Sequence, residues 1–187
     1  PGRPGLTAST PGTHSYYSGT QGDLQVEMGL YGAIIVLPSA IPGACTSGVH
    51  ASNAAAQTFW GEGNYRLAAA AYDHPGACYD REYLFQFSEM DPRIHREAEE
   101  QAVRTCRGCM SVATEPYQPA YFMVNGRSMP DDMDPNYALE YPHQPYNGNP
   151  HMHPGELTLL RIIGHDNWQH PFHEHGNHVR VLARDGN

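Results

Sequence analysis

Four imidazoles fall within nine residues near the end of the sequence, where residues 170–178 read His-Pro-Phe-His-Glu-His-Gly-Asn-His. Neutral imidazole is the commonest side-chain ligand for transition metals, and copper and zinc suit it well. His173 and His175 flank Glu174. On extended backbone, residues two apart share a face, so this pair could grip one ion. A lone histidine is usually a surface or satisfied core residue. Four so close, interleaved with other residue types, predict a metal site with His173 and His175 as ligands.

The elements that must position this cluster lie on both sides of it. Residues 157–163, Leu-Thr-Leu-Leu-Arg-Ile-Ile, form a strand-like apolar run. Residues 179–183, Val-Arg-Val-Leu-Ala, alternate as a half-buried strand does. The cluster is therefore expected at a loop-to-strand junction between two strands.

Composition narrows the class. The 187 residues carry a formal net charge of -9, and the basic residues are all Arg. An acidic chain without a basic run does not suit nucleic acid or an anionic membrane face. No apolar run approaches the roughly 20 residues of a spanning helix. The 19 Gly and 16 Pro are close to a fifth of the chain, which predicts many turns and short strands rather than a helical bundle. The opening Pro-Gly-Arg-Pro and the lack of an initiator Met lead us to expect a processed or partial chain.

Further elements follow from pattern. Residues 15–17, Ser-Tyr-Tyr, predict a short strand. Leu24, Met28 and Tyr31 are spaced for one or two helical turns. Residues 33–37, Ala-Ile-Ile-Val-Leu, predict a buried strand closed by Pro38. Residues 42–78 read as a long loop insertion, anchored by burial of an aromatic pair at Phe59 and Trp60. Asp91-Pro92 followed by residues 93–104 predicts one helix with a solvated charged face. The acidic run at Asp131, Asp132 and Asp134 reads as a solvated turn, and His143, His151 and His153 as surface residues of a Pro-rich loop.

Four passages together resemble the multicopper oxidase family, in that family's order. Residues 12–19, Gly-Thr-His-Ser-Tyr-Tyr-Ser-Gly, with residues 24–36 after them, look like the end of its first cupredoxin domain. Residues 80–88, Asp-Arg-Glu-Tyr-Leu-Phe-Gln-Phe-Ser, resemble the opening strand of the next domain. Residues 121–128, Tyr-Phe-Met-Val-Asn-Gly-Arg-Ser, resemble its strand and Asn-Gly turn. Residues 170–176 resemble its copper motif. The fold implied is all-β: a cupredoxin-like Greek-key β-sandwich, the end of one domain joined to the start of the next, with long loop insertions and one short helix. The implied divisions are 1–41, the C-terminal part of a first cupredoxin domain; 42–79, an insertion; and 80–187, the N-terminal part of a second.

The resemblance implies a copper-binding oxidoreductase that couples one-electron oxidation of a small-molecule or metal-ion reductant to reduction of oxygen to water. It makes His170 a type 1 copper ligand and gives His173 and His175 to a trinuclear centre. Tyr17 and Gly19 stand where the family carries a His-x-His pair, and no His-Cys-His segment follows residue 178. The chain is thus expected to be an incomplete or degenerate portion, completed in a homo-oligomer or larger assembly. The alternative is a copper-poor structural or assembly module without oxidase activity. An extracellular or periplasmic setting is implied.

Cys45, Cys78, Cys106 and Cys109 are an even set. In an exported protein they predict disulfides, with Cys45–Cys78 and Cys106–Cys109 favoured over the other pairings. The Cys-Arg-Gly-Cys segment could instead be a redox pair or half of a zinc site.

Overall fold

The computed structural model describes residues 11–59, 66–104, 106, 108–165 and 167–185. Its elements are β1 (Gly12–Tyr17), α1 (Gly22–Glu27), β2 (Tyr31–Val36), α2 (Gly48–Phe59), β3 (Arg81–Met90), α3 (Pro92–Arg104), β4 (Tyr121–Val124) and β5 (Thr158–Gly164), with three short 3-10 turns. The strands make two small sheets, β1-β2 and β4-β3-β5. The fold is β-rich with short helices. Trp60 lies outside the described residues.

β3 is the centre of the larger sheet. It pairs antiparallel with β4, Phe87 opposite Val124 and Glu89 opposite Phe122. It pairs parallel with β5, from Arg81 opposite Thr158 to Phe87 opposite Gly164. The β4 strand ends in a two-residue turn at Asn125 and Gly126, both at positive φ, as Asn-Gly favours. The Asn125 side chain then reaches into β3: its Oδ1 accepts from the Gln86 N–H at 3.0 Å and its Nδ2 donates to the Leu84 carbonyl at 3.0 Å. Arg127, just beyond, is buried under Tyr141 with its guanidinium 4.5 Å from the ring centre.

A parallel pair needs a long crossover, and here buried polar groups close it. Arg81, fully buried, holds Glu156 through both carboxylate oxygens, Nε at 2.8 Å and Nη2 at 3.1 Å. Gln57 of α2 donates to the same carboxylate at 2.7 Å, and the His153 N–H at 3.1 Å. Asp80 beside it accepts from Asn53 at 2.9 Å and from the Leu157 N–H at 3.0 Å, and pairs with His50 Nδ1 at 2.7 Å. Burial alone would raise the pKa of Glu156. The Arg81 and Gln57 side chains and the His153 N–H outweigh it and hold that carboxyl at about 2.

The segment preceding α2 is tied down by the Cys45–Cys78 disulfide, with Cys45 buried against Ala69 and Ala70. A second small core crosses the chain: Leu24 of α1 packs with Ile94 and Ala98 of α3 and with Val112. Asp91 caps α3, accepting from the Arg93 N–H at 2.9 Å, with Pro92 at the first helical position.

Several expectations change. Besides the helix expected after Asp91-Pro92 and the short helical stretch expected from Leu24, which is α1, there is α2, which occupies much of the supposed loop insertion. Its buried face is polar, His50, Asn53 and Gln57 all turned to Asp80 or Glu156, so hydrophobic periodicity does not reveal it. Phe59 is 87% exposed and anchors nothing; the buried Gln57 does. β2 is half-exposed rather than buried, because a two-stranded sheet covers little of either face. Residues 179–183 form no strand. No described strand runs beside them to take their N–H and C=O groups, and Val179 and Val181 stay in solvent.

Replacing Glu156 with Ala removes the carboxylate that the buried Arg81 grips. Urea unfolding of this variant is expected to show a loss of about 3 kcal/mol, and a loss near zero would count against the role assigned to this pair.

Candidate metal centre

The β3–β5 ladder runs on past Gly164, where the His165 N–H donates to the Phe87 carbonyl at 3.1 Å. That bond delivers the next residues onto one face of β3. Phe87 and Glu89 are two apart on β3 and so share that face. His170 stacks on Phe87, ring centres 5.7 Å apart, and Phe172 meets the same ring edge-on at 6.5 Å. Trp168 packs against Phe122 of β4.

Under this aromatic cover lies Glu89, a carboxylate with no side-chain exposure. Its Oε1 accepts from the Trp168 N–H at 2.6 Å and its Oε2 meets His170 Nε2 at 2.7 Å. A carboxylate here can only accept, so His170 carries its proton on Nε2. Nδ1 is then the nitrogen left able to coordinate. Histidine ligands are commonly held this way, one ring nitrogen on a carboxylate and the other on the metal.

His173 and His175 are exposed, and their rings meet edge to face with centres 4.6 Å apart. The structure thus brings these two together, as their spacing predicts, but on an irregular segment rather than on a strand. His170 is held separately, on Glu89. Among the described residues, no three His, Cys, Asp or Glu side chains gather as a group able to hold a metal. The donors fit copper in kind, being neutral nitrogen ligands with one ring oriented by a carboxylate, but a full shell needs ligands from elsewhere. All four cysteines are in disulfides, Cys45–Cys78 and Cys106–Cys109, so none offers a thiolate.

Tyr17 ends β1 opposite Tyr31. With Asp23, Glu27, His165 and Asn167 it lines a cleft of about 310 Å³ between the hairpin and the segment after β5. His165 stacks on Tyr31 at 4.1 Å, and its Nε2 meets Gln86 Oε1 at 3.0 Å. Gly19 stands open, with nothing near the place a side chain would fill.

Glu89 and His165 are the residues that motif reading missed. Glu89 lies in a strand that also carries Arg81, Glu82, Gln86 and Ser88, so its acidic side chain did not stand out, and only its burial shows that it must find partners. Nothing in the local pattern marks His165, whose surroundings come from β2 and β3.

Compared with known proteins, the chain matches no family model, no curated protein and no solved structure.

Burial lowers the pKa of His165 from 6.5 to about 4. In the unfolded chain the ring takes up its proton near 6.5, whereas in the folded chain it stays neutral until about 4. The unfolded state therefore binds the proton first, and stability present above 6.5 is lost as pH falls toward 4. Equilibrium unfolding at a series of pH values is expected to show this decline, and His165→Gln to flatten it; an unchanged slope in the variant would refute the assignment.

Proposed function

We propose that this chain is a copper-binding portion of a multicopper oxidase, built from parts of two cupredoxin domains. The reading rests first on the order of its four motifs. The observation that carries it is the Glu89–His170 pair. A buried carboxylate fixes the one ring that the resemblance makes a type 1 copper ligand, three residues before two imidazoles already in contact.

In this reading His170 offers Nδ1, and His173 and His175 offer ring nitrogens at the exposed end of the same segment. Copper, when bound, supplies one-electron transfer between a reductant and oxygen. The chain's own residues do simpler work. Glu89 fixes the tautomer of His170 and limits its rotation. Phe87 stacks on the His170 ring and Phe172 packs edge-on against Phe87, which further restricts that ring. The missing ligands come from a partner copy or from sequence beyond these residues, in keeping with a homo-oligomer or larger assembly. The domains implied are 1–41 and 80–187, of Greek-key cupredoxin type, joined by 42–79. Two disulfides fit an oxidising compartment, and we place the protein outside the cell or in the periplasm. Among the described residues no helix is long and apolar enough to cross a membrane.

A second reading has its own support. Tyr17 and Gly19 replace two expected ligands, and the described residues form no three-ligand group. That combination suits a copper-poor cupredoxin module serving assembly, in which His173 and His175 hold a single ion without turnover.

Copper titration followed by metal analysis separates the readings from no binding at all. The 187-residue chain is expected to bind Cu(II) without an intense thiolate band. His173→Ala with His175→Ala is expected to weaken binding by about 100-fold, and Glu89→Gln by about 10-fold. Binding unaltered in the double variant would overturn the site. Loss in the double variant with none in Glu89→Gln would favour the second reading.

A further inference from the structure

We infer that Cys106–Cys109 is a thiol–disulfide exchange site, open to dithiol reductants while the rest of the fold stays intact. The two disulfides of the chain differ in what surrounds them. Cys45–Cys78 joins residues 33 apart, and Cys45 is fully buried against Ala69 and Ala70. Cys106–Cys109 joins residues 3 apart, and both cysteines are exposed just past the end of α3. Attack on a disulfide needs access to a sulfur along its bond axis. Both sulfurs of the second pair offer that from solvent, whereas in the first pair Cys45 is closed off and only the half-buried Cys78 is approachable.

Nor does the fold need this bridge to hold its flanks. The Gln101 side chain closes the loop by itself, donating to the Ser111 carbonyl at 2.8 Å and accepting from the Ser111 N–H at 2.7 Å. Arg93 reaches past it to the carbonyls of Ala113 at 2.7 Å and Pro116 at 3.1 Å. Val112 is buried with Leu24, Ile94 and Ala98. A bridge across so short a loop also restricts the unfolded chain less than one across a long loop. Opening it leaves α3 and the returning segment where they are.

The step balances as follows. A thiolate of the dithiol attacks one cysteine sulfur, and the Cys106–Cys109 bond breaks. Its electron pair leaves on the other cysteine, which takes up a proton. The second thiol of the reductant then displaces the mixed disulfide. The products are two cysteine thiols and an oxidised dithiol, a two-electron transfer into the protein.

The test uses the oxidised full chain and dithiothreitol in native buffer, with alkylation at timed intervals and peptide mass analysis. Cys106 and Cys109 are expected to be alkylated at least about ten times faster than Cys45 and Cys78, with the far-UV circular dichroism unchanged. Cys106→Ser with Cys109→Ser is expected to shift Tm by no more than about 5 °C. Simultaneous reduction of both pairs, resistance of Cys106–Cys109 without denaturant, or loss of the circular dichroism signal on its reduction would each overturn the inference. Copper binding plays no part in any of these readouts.

Discussion

Arg81 and Glu156 meet where β3 and β5 start side by side, Glu156 at the far end of the long crossover that leaves from Met90. Closing such a loop is entropically unfavourable, and the ladder alone does not fix which residues face each other. The bidentate pair does, because a guanidinium and a carboxylate match in only a narrow range of positions. Asp80 reinforces the register by taking the Leu157 N–H on its side chain while its own N–H goes to the Leu157 carbonyl. Once Arg81 stands opposite Thr158, the pairing runs on to Phe87 opposite Gly164. Everything after Gly164, including the imidazoles, is placed by that register.

The same strand then does different work at its two ends. At its start, buried charge gathers α2 and the crossover; at its end, Glu89 gathers Trp168 and His170. Buried carboxylates are costly unless fully bonded, and each of these three, Asp80, Glu89 and Glu156, has at least two partners. β3 thus joins the structural network to the candidate metal centre without any residue shared between them. Between the two, Arg161 of β5 ties the sheets together, bonding Glu82 at 2.8 Å and Thr13 of β1 at 2.8 Å.

What could be read from the sequence follows from what local pattern records. Apolar runs exposed β2 and β5, β-forming residues exposed the end of β1, and Asp91-Pro92 exposed α3, whereas β3 and β4 were expected only through the family resemblance. The Asn125-Gly126 turn was legible because only certain residues accept positive φ. α2 was not, since its buried face is made of His50, Asn53 and Gln57. The alternation at residues 179–183 pointed to a strand, but a strand exists only with a neighbour, and none of the described strands supplies one. At the candidate metal centre, the strand expected to align His173 and His175 was not found, though their nearness was legible from their spacing. The hold of Glu89 on His170 was not, because the two lie far apart in sequence and meet only through the parallel register.

The orientation of His170 is the point on which the copper reading turns, and nitrogen NMR of the histidine rings in the metal-free chain reports it directly. Long-range nitrogen–proton correlations distinguish the two tautomers. The account predicts a proton on Nε2 of His170 and a bare Nδ1, with Glu89→Ala abolishing that preference. A proton on Nδ1 with Nε2 bare, in the unaltered chain, would contradict it.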